Sequence, residues 1–266
     1  MKHYIQHITF LCFGLLLASC VSELDGPQTN QQGTFSLGLS ADSLSTEIVT
    51  RASENIDDYS VTLSEKGENI WALRYADIGD DDRIQPVGEG YVVEAENCTS
   101  AEAESLNEGW GRRRFYGRSE TFAITKGQNT QVSVHCQMAN AGLCVVFDES
   151  FSSYFTSGFA VTTDDLRALR FDADNQAQFN TNGQMTAGRV AYYNVNDEGQ
   201  HTLQLIISGS AGWDGTLRLK RTLVLQQGRT YRLIVRKGEP QEGTLGVSIS
   251  YDETFDDGTT EEVILE

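Results

Sequence analysis

The sequence predicts an all-β protein: two tandem antiparallel β-sandwich domains behind a leader and a flexible tether. Three observations lead to this reading. Apolar and polar residues alternate at period two along many short stretches, the mark of strands buried on one face. Gly is frequent, with 25 residues, Pro is scarce, with three, and long helical periods are nearly absent. A strand–turn–strand unit also occurs twice. Phe122–Gly127 (FAITKG) is echoed by Leu223–Gly228 (LVLQQG), and Val132–Val134 by Leu233–Val235. Upstream, Gly90–Glu96 has a looser counterpart in Gly199–Ile206. Two copies at that spacing point to two similar β-domains rather than a short-period solenoid. Many short strands with few helices favour sandwiches over a parallel sheet.

The elements follow in order. Residues 1–19 read as a secretion leader: Lys2 precedes the apolar run Ile8–Leu17, broken only by Thr9 and Gly14. A run of roughly ten residues cannot span a bilayer core that needs ~20. It ends Leu17-Ala18-Ser19-Cys20, matching the lipobox of bacterial lipoproteins, in which the cysteine is lipidated and becomes the new N-terminus. Several acyl chains, at about 0.8 kcal/mol per buried methylene, anchor a chain stably. Residues 20–33 form a polar tether. Glu23 and Asp25 in it resemble the acidic signal that directs some lipoproteins of Gram-negative anaerobes to the outer face of the outer membrane.

The N-terminal domain is expected over 34–140 and the C-terminal domain over 141–266. In the first, Thr34–Ser40 alternates strictly through Phe35, Leu37 and Leu39. Ala41–Asp58 reads as a long loop, and Tyr59–Ser64 with Ile70–Tyr75 as a hairpin. Tyr91–Asn97 is a strand and Thr99–Asn107 a short helix. Thr121–Thr125 and Thr130–Cys136 form a hairpin around Lys126–Asn129, which supplies the Gly and Asn of a tight turn. A sharp break is expected at Ala139–Gly142. In the second domain, a strand through Leu143, Val145 and Phe147 leads to a helical crossover over Asp148–Phe155. Asp148 is its N-cap, and Phe151, Tyr154 and Phe155 face the core. Strands follow at Phe159–Thr163, Arg189–Tyr193, Thr202–Ser208, Thr216–Val224, Thr230–Arg236, Gly246–Asp252 and Thr260–Glu266. Asp164–Asn182 reads as irregular, and Asp256-Asp257-Gly258 as a hairpin turn.

The formal net charge is −18, a field that repels nucleic acid and anionic lipid headgroups. Neither nucleic acid nor cofactor is expected as a partner. Of five cysteines, Cys98, Cys136 and Cys144 remain after Cys12 in the leader and Cys20. Three is odd and no C-x-x-C or Cys/His spacing occurs, so neither a disulfide framework nor a zinc site is indicated. Asp80-Asp81-Asp82 lacks the spaced ligands of a calcium loop and reads as a solvated acidic loop. Asp172-Ala173-Asp174-Asn175 lacks the Gly and Glu that such a loop requires. His135 and His201 read as exposed strand residues. Nucleophile-elbow, HExxH, Walker and Rossmann glycine patterns are missing. A glycosidase pair of carboxylates, defined by distance in the fold, stays open, but nothing specific supports it and a non-catalytic protein is expected.

Trp110-Gly111-Arg112-Arg113-Arg114-Phe115-Tyr116-Gly117-Arg118 is the dense basic cluster of the first half. It has two readings. The aromatics could stack on sugar faces while the arginines pair with carboxylates or sulfates. Alternatively, Phe115–Gly117 leads into the next strand and the arginines neutralise nearby acids. Trp213, in the Gly-rich loop Gly209–Gly215, likewise reads either as a glycan-contacting tip or as the anchor of a hairpin loop.

Taken together, the lipobox, the alternating first strand, Thr50-Arg51-Ala52, Gly88–Val93, Phe115-Tyr116-Gly117 and Val134–Asn140 resemble the fimbrillin-like surface lipoproteins of Bacteroidales-type bacteria. The likeness covers about residues 33–165 by motif and the remainder by architecture. It implies two transthyretin- or immunoglobulin-like sandwiches and a lipid-anchored, outward-facing place in the outer membrane. Lipidation, as by palmitate, falls on Cys20. The implied role is in cell adhesion or fimbrium assembly, with fimbrial subunits as partners through strand exchange, or a glycan or host surface. In related fimbrillins a protease cuts after an arginine that follows the first strand. Arg51, before Ala52, is the matching position, and Thr260–Glu266 is the candidate donated strand. The alternative is a lipid-anchored glycan-binding protein of a polysaccharide-uptake system.

Overall fold

The computed structural model describes residues 31–42, 55–211, 216–238 and 247–252. Cys20, Arg51, Ala52 and Trp213 lie outside them, as do the expected strand Thr260–Glu266 and the turn before it. The described residues are mostly strand. The first half contains β1 (Gln32–Ala41), β2 (Ser60–Glu65), β3 (Glu68–Arg74), β4 (Ile84–Pro86) and β5 (Gly88–Glu96). A short helix α1 (Ser100–Ser105) follows, then β6 (Phe115–Arg118), β7 (Phe122–Ile124) and β8 (Asn129–Met138). The second half opens with β9 (Asn140–Phe147), α2 (Glu149–Tyr154), β10 (Ser157–Thr163) and β11 (Ala168–Phe171). It continues through β12 (Gln178–Phe179), β13 (Met185–Ala187), β14 (Ala191–Asn194), β15 (Gln200–Ser210), β16 (Thr216–Gln226), β17 (Thr230–Lys237) and β18 (Val247–Asp252).

The halves share much of one strand order, but in the first β6 pairs with both β5 and β8 and joins the strands into a single eight-stranded sheet, whereas the second half has two separate four-stranded sheets. In the first, β3, β2 and β5 lie side by side and β7 pairs with β5; in the second, the order is β11-β10-β15-β16. All these neighbours are antiparallel. The other series are β4-β1-β8-β6 and β14-β9-β17-β18. At the centre of each, the strand that opens the half runs parallel to the second strand of the repeated hairpin: β1 beside β8, β9 beside β17. A fully antiparallel reading therefore needs correction at these two pairs. Period-two alternation reports which face is buried, not which way the neighbour runs.

The correspondence extends to single hydrogen bonds. Gly127 N donates to Gln32 O and Thr34 N to Gln128 O, both 2.9 Å; Gly228 N donates to Asn140 O at 3.0 Å and Gly142 N to Arg229 O at 2.8 Å. Gly127 and Gly228 have φ of 65° and 78°, so each hairpin turns through the left-handed region that glycine enters without strain.

Buried side chains fall into two main clusters. One gathers Phe35, Tyr59, Leu63, Tyr91, Val93, Phe115, Ile124, Val134 and Met138 with the second half's Tyr192. The other gathers Leu143, Val145, Phe151, Phe155, Phe171, Tyr193, Leu205, Leu225 and Leu233 with the first half's Trp110. Cys136 sits within the first cluster, where burial pushes its thiol up to about 11. Cys98, Cys136 and Cys144 are all buried, and none of the three is in a disulfide.

Local chemistry explains both helices. Thr99 and Glu102 close a reciprocal capping box on α1. Asp148 caps α2 by accepting from Ser150 N at 2.9 Å. Phe151 and Phe155, their rings tilted with centroids 4.5 Å apart, then lie over β10 and β15. They fit because Gly158 and Gly209, opposite one another in the ladder, leave the space: a Cβ would lie 2.3 Å from Phe151 at the first and 2.7 Å from Phe155 at the second. Two sequence expectations shift. The break foreseen at Ala139–Gly142 shrinks to Ala139 alone, because Asn140 already belongs to β9. The stretch read as irregular over Asp164–Asn182 contains β11 and β12, which are too short for periodicity to reveal.

Candidate functional site

The basic cluster is drawn into the joint between the halves. Trp110, 9% exposed, enters the second cluster with its ring edge-on to Phe171 at 4.9 Å and the Arg189 guanidinium 5.2 Å over it. Asn140, 0% exposed, brackets the following residues: its Nδ2 donates to Arg112 O at 2.8 Å and its Oδ1 accepts from Arg114 N at 3.1 Å. A buried amide with both ends engaged fixes this segment against the start of β9.

Beyond it, β6 lies on β5 with Arg118 opposite Glu94 and Tyr116 opposite Glu96. Arg114 meets Glu96 at 2.7 Å, Arg118 meets Glu94 at 2.8 Å, and the Tyr116 hydroxyl donates to Glu94 at 2.5 Å. Arg114 also lies 5.0 Å over the Tyr116 ring. Burial, and then the bond to Glu94, holds the Tyr116 phenol above its usual range. Arg112 and Arg113 are half-buried. Arg114, Tyr116 and Arg118 thus already meet protein carboxylates, and Arg114 also the Cys98 carbonyl. A ligand would have to displace bonds already made, some of them charge-assisted.

A second polar group lies at the same joint. The turn between β10 and β11 is closed by Asp164, whose Oδ1 accepts from Leu166 N and Arg167 N, each at 2.8 Å. This aims Arg167 at the joint, where it donates to the carbonyls of Glu104 and Gly109 in the first half and to that of Tyr192 in the second. Its guanidinium lies 4.5 Å over the Tyr193 ring. His201, expected to be exposed, is 16% exposed at its side chain and faces Asp164, 5% exposed, at 3.2 Å. His201 Nδ1 lies 2.8 Å from Asn194 O, an atom that can only accept, so the proton is on Nδ1. Nε2 then faces Asp164 Oδ2 within ion-pair distance, and neither atom has a hydrogen-bond partner. Strand alternation missed this because the burying groups come from the distant turn and from β14. His135 is exposed as expected, beside Asp42 at 2.7 Å and Ser40 at 3.0 Å.

The N-terminal strand is the third feature. β1 pairs with β8 over eight residues and with β4 over three, and it buries Phe35 and Leu37 in the first cluster. The acidic stretch Asp80–Asp82 is local structure: Asp82 Oδ2 accepts from Gly79 N, and Asp82 O accepts from Trp71 and Gln85. Among the described residues, no three His, Cys, Asp or Glu side chains come together as a metal site. No described helix is long and apolar enough to cross a membrane.

Against known families, the model described as "Domain of unknown function (DUF4493)" matches residues 31–266, which takes in both halves and the joint. The chain belongs to the DUF4493 family. No curated protein matches it. Among solved structures, this DUF4493 protein is similar to the fimbrial anchor protein Mfa2 from Porphyromonas gingivalis. The identity is 11% and the TM-score 0.44, over 83% of this chain and 98% of that one. It is also similar to a fimbrial assembly protein from Parabacteroides distasonis, at 11% identity and a TM-score of 0.44, over 88% of this chain and 98% of that one.

Proposed function

We propose that this chain is a lipid-anchored protein of the outer-membrane surface that takes part in fimbrium assembly or cell adhesion, as a subunit, accessory protein or adhesin. In this reading it is non-catalytic. Two tandem β-sandwich domains, 34–140 and 141–266, stand on a tether at 20–33 that is lipidated at Cys20. The lipobox supports the anchor, and the shared strand order supports the duplicated sandwich.

The observation that carries the assembly role is the place of β1. This strand follows the tether directly and lies between β4 and β8. An anchored lipid is thereby tied to the fold through a strand inside a sheet. A cut at Arg51–Ala52 would leave β1 with the lipid peptide. Its departure would open eight ladder positions along β8 and the slot now filled by Phe35 and Leu37. An open edge with an apolar slot binds an added strand. Because β1 runs parallel to β8, a replacement strand would have to enter in that direction.

Mass spectrometry of protein taken from cell surfaces tests both parts. Acylated Cys20 is expected, and Cys20→Ala should release the protein or leave its precursor. Unlipidated wild-type protein, cut elsewhere, sinks the anchored reading. Chains beginning at Ala52 identify a polymerising subunit, whereas chains that all retain Cys20 through Arg51 identify a permanently anchored accessory protein or adhesin.

A further inference from the structure

The sheet β11-β10-β15-β16 contains no Asp or Glu in any of its four strands, although the whole chain has 38 such residues and a net charge of −18. Its strands carry Arg170, Arg218, Lys220 and Arg221. The inner face packs in the second cluster through Ala160, Phe171, Leu205, Ile207 and Leu223. The opposite face is set by register. One row across it runs Arg170–Val161–Ile206–Lys220, and the adjacent row runs Phe159–Ser208–Arg218. On the other side of the first row lie Thr163, Gln204 and Thr222, where Gln204 Nε2 donates to Thr222 Oγ1 at 2.9 Å.

This face is graded. Phe159, Val161 and Ile206 are only half-buried, and Val224 on β16 is 46% exposed. At the β11 side, Arg170 is committed: it meets Asp172 at 3.1 Å and its guanidinium lies 3.9 Å over the Phe159 ring. At the β16 side, Arg218 and Lys220 are exposed and meet no carboxylate among the described residues. With strands about 4.8 Å apart and alternate residues about 7 Å apart, the apolar centre lies within roughly 10 Å of both free cations.

We propose that this outer face is a binding surface for an acidic polysaccharide, one bearing uronate or sulfate groups. The apolar centre suits the C–H faces of sugar rings, and Gln204, Ser208 and Thr222 offer hydrogen bonds to hydroxyls. Arg218 and Lys220 supply charge to the anionic groups. Charge complementarity selects the acidic class: these cations meet no counter-ion among the described residues and stand on a sheet whose strands carry no acids, so an anionic polymer gains attraction here while the net negative charge of the chain repels it elsewhere. This adds a ligand class to the adhesion reading and depends on it only for the outward location.

The test uses the full-length chain in detergent, with immobilised heparin as a sulfated uronate polymer and dextran as a neutral control. Heparin should be bound and dextran not, and binding should weaken as salt rises. Arg218→Gln combined with Lys220→Gln should raise the heparin dissociation constant at least tenfold with the melting temperature unchanged. Lys66→Gln combined with Lys126→Gln, exposed cations elsewhere, should leave it unaltered. Unchanged affinity in the Arg218/Lys220 variant overturns the proposal, and so does equal loss in both double variants. Heparin binding that appears only after removal of residues 253–266 would assign the face to the chain's own acidic tail. A self-association abolished by the Arg218/Lys220 change would assign it to a second copy, and binding to phosphatidylglycerol vesicles but not heparin would assign it to lipid. Each of these overturns the proposal. The state of Cys20 is read separately, so failure here is distinct from failure of the anchored reading.

Discussion

Tyr193 is enclosed in the second cluster, with its hydroxyl 2.7 Å from Thr162 Oγ1 and its ring beneath the Arg167 guanidinium. Burial penalises the phenolate and pushes this phenol up to about 12. An unfolded tyrosine ionises near pH ~10. The associated stability is therefore fully present below pH ~10 and is lost as pH rises through about 12, an effect on the order of 2–3 kcal/mol. Urea denaturation at a series of alkaline pH values should fall less steeply for Tyr193→Phe than for wild type in this window. Parallel curves would mean that this phenol ionises as readily in the fold as outside it. At this scale the sequence was legible where a residue acts on near neighbours. Asp148 as a helix cap follows from local spacing. Asn140 and His201 did not, because their partners lie at Arg112 and Arg114 in one case and at Asp164 in the other, positions that only folding brings near.

The seat of α2 shows what is at stake for an element. A helix of six residues has little stability alone and depends on its packing. Phe151 and Phe155 supply that packing only because Gly158 and Gly209 hold no side chain beneath them. Gly158→Ala should cost about 1–3 kcal/mol in thermal or chemical denaturation, as expected for overfilling a packed site. Gly209→Ala should act similarly. The double variant should cost less than the sum, since one displacement of the aromatic pair relieves both clashes. Strict additivity would show that α2 does not move as a unit. The helix itself was readable from Asp148 and the spacing of Phe151, Tyr154 and Phe155. Its glycine seat was not, since a glycine within a strand has several uses and the sequence does not say which side chain passes above it.

The whole molecule is joined by an exchange of aromatics. Trp110 comes from the first half and packs in the second cluster; Tyr192 comes from the second half and packs in the first. Around Trp110, Asn140 and Arg167 hold the same joint by hydrogen bonds. Trp110→Ala should therefore destabilise mainly the half it does not belong to, by about 3–5 kcal/mol. Hydrogen exchange should show the largest loss of protection in β11, β14 and β15, with a smaller change in β2 and β5. A loss confined to the first half would sink this account of the joint. In the sequence, Trp110 stood among arginines and invited a ligand-stacking reading. Its neighbour Phe171 lies sixty-one positions onward, so nothing in the local pattern marks the ring as core.

The sequence by itself determined the all-β class, most strand positions, both short helices and the repetition of the hairpin. These depend on alternation, caps and turn residues acting over a few positions. Tertiary structure alone decided the parallel placement of β1 and β9, the capture of Trp110 across the joint, and the partners of Arg114, Arg118 and Arg167. It also gathered Phe159, Ile206, Arg218 and Lys220 onto one acid-free face. The physical reason is that alternation says only that one side of a strand is apolar. Which strand lies beside it, in which direction, and which distant side chain reaches its surface are settled by closing the whole chain around its two cores.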